Sequence, residues 1–198
     1  MARTTPSARK KPARGRSSVA SRNGFHAASI GLATVLAANK AIVVDKSEKT
    51  LTLFKDGTPR KTYPIAIGKV ENGPKQRAGD WKTPEGLYTI GAHHPGSRYY
   101  KALKISYPNT ADAQRGLAGG LITPGQAAAI QDALENGEMP PQNTRLGYNI
   151  EIHGGYRLAP NQPDAIRGYT RGCMAVTNTM IDEIYNWAED GIPVLIQP

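Results

Sequence analysis

From residue 41 onward the chain consists of short β-forming runs separated by turn signals, and that rhythm limits what it can fold into more than any other feature. Ala41-Ile42-Val43-Val44-Asp45 and Thr50-Leu51-Thr52-Leu53-Phe54 are β-rich. Asp56-Gly57 then turns the chain into Lys61-Thr62-Tyr63-Pro64-Ile65-Ala66-Ile67-Gly68. Runs this short, joined this tightly, make an antiparallel meander. Residues 69–86 hold Gly73-Pro74, Gly79-Asp80 and Thr83-Pro84-Glu85-Gly86 and read as loop, before Leu87-Tyr88-Thr89-Ile90 resumes as a strand. Lys104-Ile105-Ser106-Tyr107 reads as a further strand ending at Pro108-Asn109, and Ile192-Pro193-Val194-Leu195-Ile196 closes the chain, its proline marking a strand start or an edge. With one cysteine in 198 residues, no intrachain disulfide braces this fold. A hydrophobic core must, and about 150 residues is enough to build one.

Two short helices interrupt the strands. Thr123 is a cap and Pro124 a first-turn residue for a helix whose Ala127, Ile130 and Leu134 form one apolar stripe before Gly137. A second helix, capped near Asn178 or Thr179, sets Ile181, Ile184, Tyr185 and Ala188 on one face and stops at Gly191. Its flanks being rich in Gly and Pro, the segment 109–147 reads as an insertion, expected to lie over the body as an active-site lid. Residues 157–168 read as loop.

Net charge is +9, but the first 40 residues hold eight Lys or Arg and no acid, leaving 17 basic and 16 acidic side chains in the remaining 158. The basicity therefore belongs to a tail, and a nearly neutral folded part argues against a nucleic-acid face. Residues 1–24 are polar and basic and expected to be disordered. Residues 25–38 form a short apolar run that, with the tail before it, reads as a secretory leader, with Val35-Leu36-Ala37 or Leu36-Ala37-Ala38 offering small residues for cleavage. Export is therefore expected, with membrane contact only through an uncleaved leader. The folded part, 41–198, is expected to be a monomeric single domain.

Chemistry concentrates in two places. Thr170-Arg171-Gly172-Cys173-Met174-Ala175-Val176 contains the only cysteine and sets glycine against it. Twenty residues upstream, Asn149-Ile150-Glu151-Ile152-His153-Gly154-Gly155 alternates like a strand and ends in histidine and two glycines. A thiolate is a strong nucleophile and an imidazole can take its proton and later return it. Glycine beside the sulfur lets a carbonyl approach backbone N–H groups that hold an oxyanion. His93-His94 is no metal pair, because adjacent strand residues face opposite ways and no third ligand is suitably spaced. No P-loop, dinucleotide fingerprint or Gly-x-Ser-x-Gly elbow is present.

With these motifs the chain from about residue 41 to 198 resembles the L,D-transpeptidase (YkuD-type) catalytic domain of bacterial cell-wall enzymes. The resemblance rests on Gly79-Asp80-Trp81-Lys82-Thr83-Pro84-Glu85-Gly86-Leu87-Tyr88, on Ile152-His153-Gly154-Gly155, and on Thr170 through Asn178, in that order. Ser106-Tyr107-Pro108-Asn109 followed by Asp112 is similar to the branch found in Gram-negative envelopes. It implies a mainly β fold, a β-sandwich of antiparallel and mixed strands with two short helices and a lid-like insertion.

For activity it implies that Cys173 attacks a peptidoglycan tetrapeptide stem at the L-centre of diaminopimelate, with His153 as base and then acid. Thr170, Arg171, Gly172, Gly154 and Gly155 would line the oxyanion and substrate site. The thioester would pass to an amine, crosslinking the wall or attaching a protein, or to water, as in an L,D-carboxypeptidase. A non-catalytic wall-binding module is the alternative outside enzymes. No metal or organic cofactor is implied. The family usually carries histidine where this chain has Arg171, so the guanidinium is expected either to favour the thiolate or to bind a substrate carboxylate.

Overall fold

The structure, a computed structural model, describes residue 1 and residues 31–198. The basic tail and the start of the apolar run fall outside the described residues, so their expected disorder and leader role are not addressed by it.

Residues 31–37 are helical (α1). The expected meander follows as β1 (Lys40–Asp45), β2 (Thr50–Lys55) and β3 (Thr58–Pro64). After the long loop come β4 (Gly86–His94), β5 (Ala102–Ile105), α2 (Thr110–Ala118) and α3 (Pro124–Glu135). The last third holds β6 (Glu151–Tyr156), a small hairpin of β7 (Leu158–Ala159) and β8 (Gln162–Ile166), β9 (Met174–Thr177), α4 (Asn178–Trp187) and β10 (Pro193–Gln197). Eight strands form one mixed sheet in the order β3-β2-β1-β10-β4-β5-β6-β9. The closing strand slots between β1 and β4, parallel to the first and antiparallel to the second. Its proline stands at the first residue, where a missing N–H is tolerated.

The two edges of this sheet meet. Beyond β3, Ala66 bridges Ala175 of β9 and Gly68 bridges Thr170, so the sheet wraps round a single interior. Alternation along each strand fills it: Ile42 and Val44, Leu51 and Leu53, Leu103 and Ile105, and Val194 and Ile196 share one buried cluster with Tyr88, Ile152, Met174 and the α4 residues Ile181 and Ile184. Each such aliphatic side chain contributes about 1.5–3 kcal/mol by leaving water. The opposite face of β1 is also apolar, and α1 covers it. Val35, fully buried, packs with Ala41 and Leu195.

The mainly β class holds, but the helix count differs: among the described residues four helices stand where two were expected. The missed helix α2 starts in a capping box, Asn109 accepting from the Asp112 N–H while Asp112 accepts from the Asn109 N–H. Three glycines at its end hid it. Asp112 is buried, and also accepts from Tyr88 Oη at 2.9 Å and pairs with Arg115. The segment 109–147 is correspondingly packed into the body rather than laid over a cleft: Ala113, Ile122, Ile130 and Leu146 all join the main core. At Gly116 a Cβ would sit 2.5 Å from Leu146 Cδ2, so the glycine that obscured the helix is what lets it seat. The 157–168 loop is in part the β7–β8 hairpin, and β5 begins two residues earlier than its sequence suggests.

Candidate active site

Parallel pairing of β6 with β9 sets Ile152 opposite Met174 and His153 opposite Ala175. One step back in that register, Cys173 falls beside Glu151, just before β9 begins. Cys173 and His153 thus line one cleft, of about 1160 Å³, with Lys75, Trp81, His94, Arg98, Tyr99, Asn149, Glu151, Tyr169, Thr170 and Arg171.

The imidazole is almost fully buried at 2 % exposure. Its Nδ1–H donates to the Gly154 carbonyl at 2.7 Å, which leaves Nε2 as the acceptor nitrogen, without a protein partner among the described residues. Tyr99 stacks on the ring at 4.3 Å between centroids and 19° between planes, and Tyr156 meets it edge-on at 5.8 Å. Burial holds the imidazole below its ordinary range, against the Gly154 hydrogen bond and the Glu151 charge, which pull the other way. It is therefore neutral, as a base must be.

The thiol is neutral too. Burial pushes Cys173 up to about 11, opposed by the Glu151 N–H and by the charges of Lys75 and Arg98. At rest Sγ donates to the Asn149 carbonyl at 3.5 Å. Glu151 itself is engaged by His94 Nδ1 at 3.1 Å. The neighbouring His93 points away, to Asp190 at 2.7 Å, as expected of adjacent strand residues.

The loop holding the cysteine is internally tied. Thr170 Oγ1 accepts from the Gly172 N–H at 2.9 Å and donates to the Cys173 carbonyl at 2.7 Å, and the Thr170 N–H donates to Ile67 at 2.8 Å. The N–H groups of Thr170 and Gly172 are thus engaged, while that of Cys173 has no partner among the described residues. Gly172 is demanded by the chain itself: its φ is +131°, and a Cβ there would stand 2.6 Å from the Lys82 carbonyl. Gly154 and Gly155 are likewise packing positions. A Cβ on Gly154 would meet Ile181 at 2.8 Å and the Tyr99 carbonyl at 3.1 Å, and the Gly155 N–H donates to Asn178 Oδ1 at 2.7 Å.

Arg171 is exposed, and its guanidinium lies 5.2 Å from the centre of the Trp81 ring. Sequence reasoning missed Tyr99, Arg98 and Glu151 as neighbours of the reacting pair. Nothing in the Ser97-Arg98-Tyr99-Tyr100 stretch signals that it crosses the histidine. The Glu151 position, two before His153 on one strand, was the one readable hint.

The family described as the L,D-transpeptidase catalytic domain (YkuD) matches residues 39–196. The chain is 42% identical over 163 residues to the Escherichia coli (strain K12) protein named "Putative L,D-transpeptidase YafK", the match covering 79% of this chain and 50% of that protein. It therefore spans about half the length of the curated relatives it matches. Among solved structures, the helical cell shape determining protein Pgp2 of Campylobacter jejuni aligns with a TM-score of 0.51 and 23% identity over 86% of this chain and 55% of its own. Bd1075 of Bdellovibrio bacteriovorus aligns at 0.50 and 24%, over 81% and 48%. These two similarities speak to the fold.

Proposed function

This chain belongs to the family of L,D-transpeptidase catalytic domains (YkuD), and from that premise we propose that it is a cysteine acyltransferase acting on peptidoglycan stem peptides in the cell envelope. The observation that carries the reading is that the only cysteine and a neutral, Nδ1-anchored histidine line the same cleft.

In the proposed reaction the thiol leaves the Asn149 carbonyl and gives its proton to Nε2 of His153 as sulfur attacks the carbonyl of the L-centre of diaminopimelate in a tetrapeptide stem. Activation on substrate arrival suits a thiol that rests protonated. The tetrahedral oxyanion takes the Cys173 N–H, which no group among the described residues occupies. On collapse the C–N bond breaks, the imidazolium protonates the departing D-alanine amine, and a thioester remains. An acceptor amine then gives up its proton to the same imidazole as it displaces sulfur, and the imidazolium returns that proton to the departing thiolate, restoring the resting pair; water in that place gives a tripeptide. Tyr99, stacked on the ring, would hold it in register through both transfers, and Thr170 would hold the loop that carries the nucleophile.

The test is incubation of the protein with tetrapeptide muropeptides and measurement of intact mass, with Cys173→Ala as control. Expected is an adduct equal to the stem acyl group without its terminal D-alanine, lost in Cys173→Ala, together with dimers or D-alanine release. Tripeptide without dimer identifies water as the acceptor. No adduct and no change in the muropeptides sinks the enzymatic reading in favour of a wall-binding module.

A further inference from the structure

Trp81 has φ of +60°, a left-handed conformation uncommon for a bulky side chain and tolerated where the surroundings enforce it. Here they do. The Asp80 carboxylate accepts from the N–H groups of Gln76, Arg77 and Lys82 at 2.7, 3.0 and 3.2 Å and is ion-paired at 2.8 Å with Lys75, itself only 3 % exposed. The Trp81 carbonyl accepts from the Val70 N–H at 3.1 Å. A buried ion pair and a ring of backbone bonds thus fix one indole at the cleft.

What that indole carries is charge. The segment after β3 runs beside the cysteine loop, the Lys69 N–H donating to Thr170 at 3.1 Å, so cations arrive from both sides. Arg171 lies 5.2 Å from the Trp81 ring centre, and Lys69 Nζ lies 5.8 Å from it and 5.1 Å from that of Tyr169. The two aromatic rings are 6.2 Å apart. Neither Lys69 nor Arg171 has a carboxylate within ion-pairing distance among the described residues, whereas the buried Lys46 and Lys75 are each matched to an acid. Stacking on an aromatic face orients a guanidinium without using its in-plane donors, which stay free for a planar anion.

We propose that Trp81, Tyr169 and Arg171, which line the cleft, form with the adjoining Lys69 a carboxylate-binding subsite, in which Arg171 reads an acidic group on the substrate beside the reacting amide. The inference rests on the reading of the cleft as a stem-peptide site and adds a specificity: free carboxylate over carboxamide. Arg171 is here a recognition residue, its guanidinium resting on the indole rather than on the sulfur.

The experiment compares a tetrapeptide stem bearing a free carboxylate on the D-centre of diaminopimelate with the same stem amidated there. The wild-type protein should favour the acid by about tenfold in KM, as a charge-assisted bidentate contact would. Arg171→Gln should raise KM for the acid towards that of the amide, collapsing the tenfold acid–amide ratio to about one. Arg171→Lys should recover part of the preference. Equal losses on both stems, a fall in kcat on both, or an acid preference that survives Arg171→Gln would overturn the subsite. Binding read from Trp81 fluorescence in a Trp187→Phe background keeps the two proposals separate. If neither stem is turned over, the acyltransferase reading fails, while the same acid–amide difference in affinity still decides the subsite.

Discussion

Protonation of the reacting pair is the first property that the surroundings set. With Cys173 pushed up to about 11, the protonated thiol is the dominant form at neutral pH. The resting protein holds a thiol and a neutral imidazole rather than a preformed ion pair. The sign follows from burial, which penalises the charged form of each group: it raises the thiol and lowers the imidazole. Two consequences are measurable. Iodoacetamide alkylation of Cys173, followed by intact mass, should still be climbing above pH 9, without a plateau in the neutral range. The acid limb of kcat/KM should lie below about 6.5, the ordinary imidazole value, because His153 is held down and stays in its base form further into acid. A neutral-pH alkylation plateau would instead reveal an ion pair at rest.

At the scale of elements, the α2–α3 segment decides between a lid and a wall of the core. Ile130 is completely buried and Leu146 almost so, and of the whole stretch 109–147 only Gly147 lines the cleft. Ile130→Ala is therefore expected to lower stability by about 2–5 kcal/mol through the cavity it leaves. At temperatures where the variant stays folded, kcat/KM should be unchanged. Urea unfolding and initial rates on the same preparation check both. A large change in rate or substrate range with stability intact would restore the lid.

For the molecule as a whole, the N-terminal helix is part of the wrapped sheet's cover. Val35 is fully buried and Leu195 only 3 % exposed. A Cβ on Gly31 would come within 2.6 Å of Leu195 Cδ1, so this end of the helix lies directly on β10. Removing residues 1–37 should expose Ala41, Val43, Phe54, Leu87 and Leu195 and cost about 2 kcal/mol, from the burial lost at one or two aliphatic side chains. Thermal melting of the full chain against the truncated one, with dye binding to report exposed apolar surface, measures this. Equal melting temperatures and no added dye binding would mean that the helix contributes nothing to the fold.

The sequence by itself determined the strand rhythm, the α3 and α4 helices with their Thr123 and near-Asn178 starts, and the three motifs that place the chain in its family. All of these are local patterns, in which periodicity and capping chemistry are written within a dozen residues. It also singled out Cys173 and His153, because a lone cysteine beside glycine and a histidine closing a strand are visible without a fold. Only the tertiary structure decided that the glycines beside them serve close packing against Lys82, Tyr99 and Ile181, that α2 forms, and that Arg171 lies on Trp81. Those depend on which distant segments the wrapped sheet brings into contact. Contacts between residues ninety positions apart leave no periodic trace in the chain, since they are set by the closing of one sheet edge onto the other.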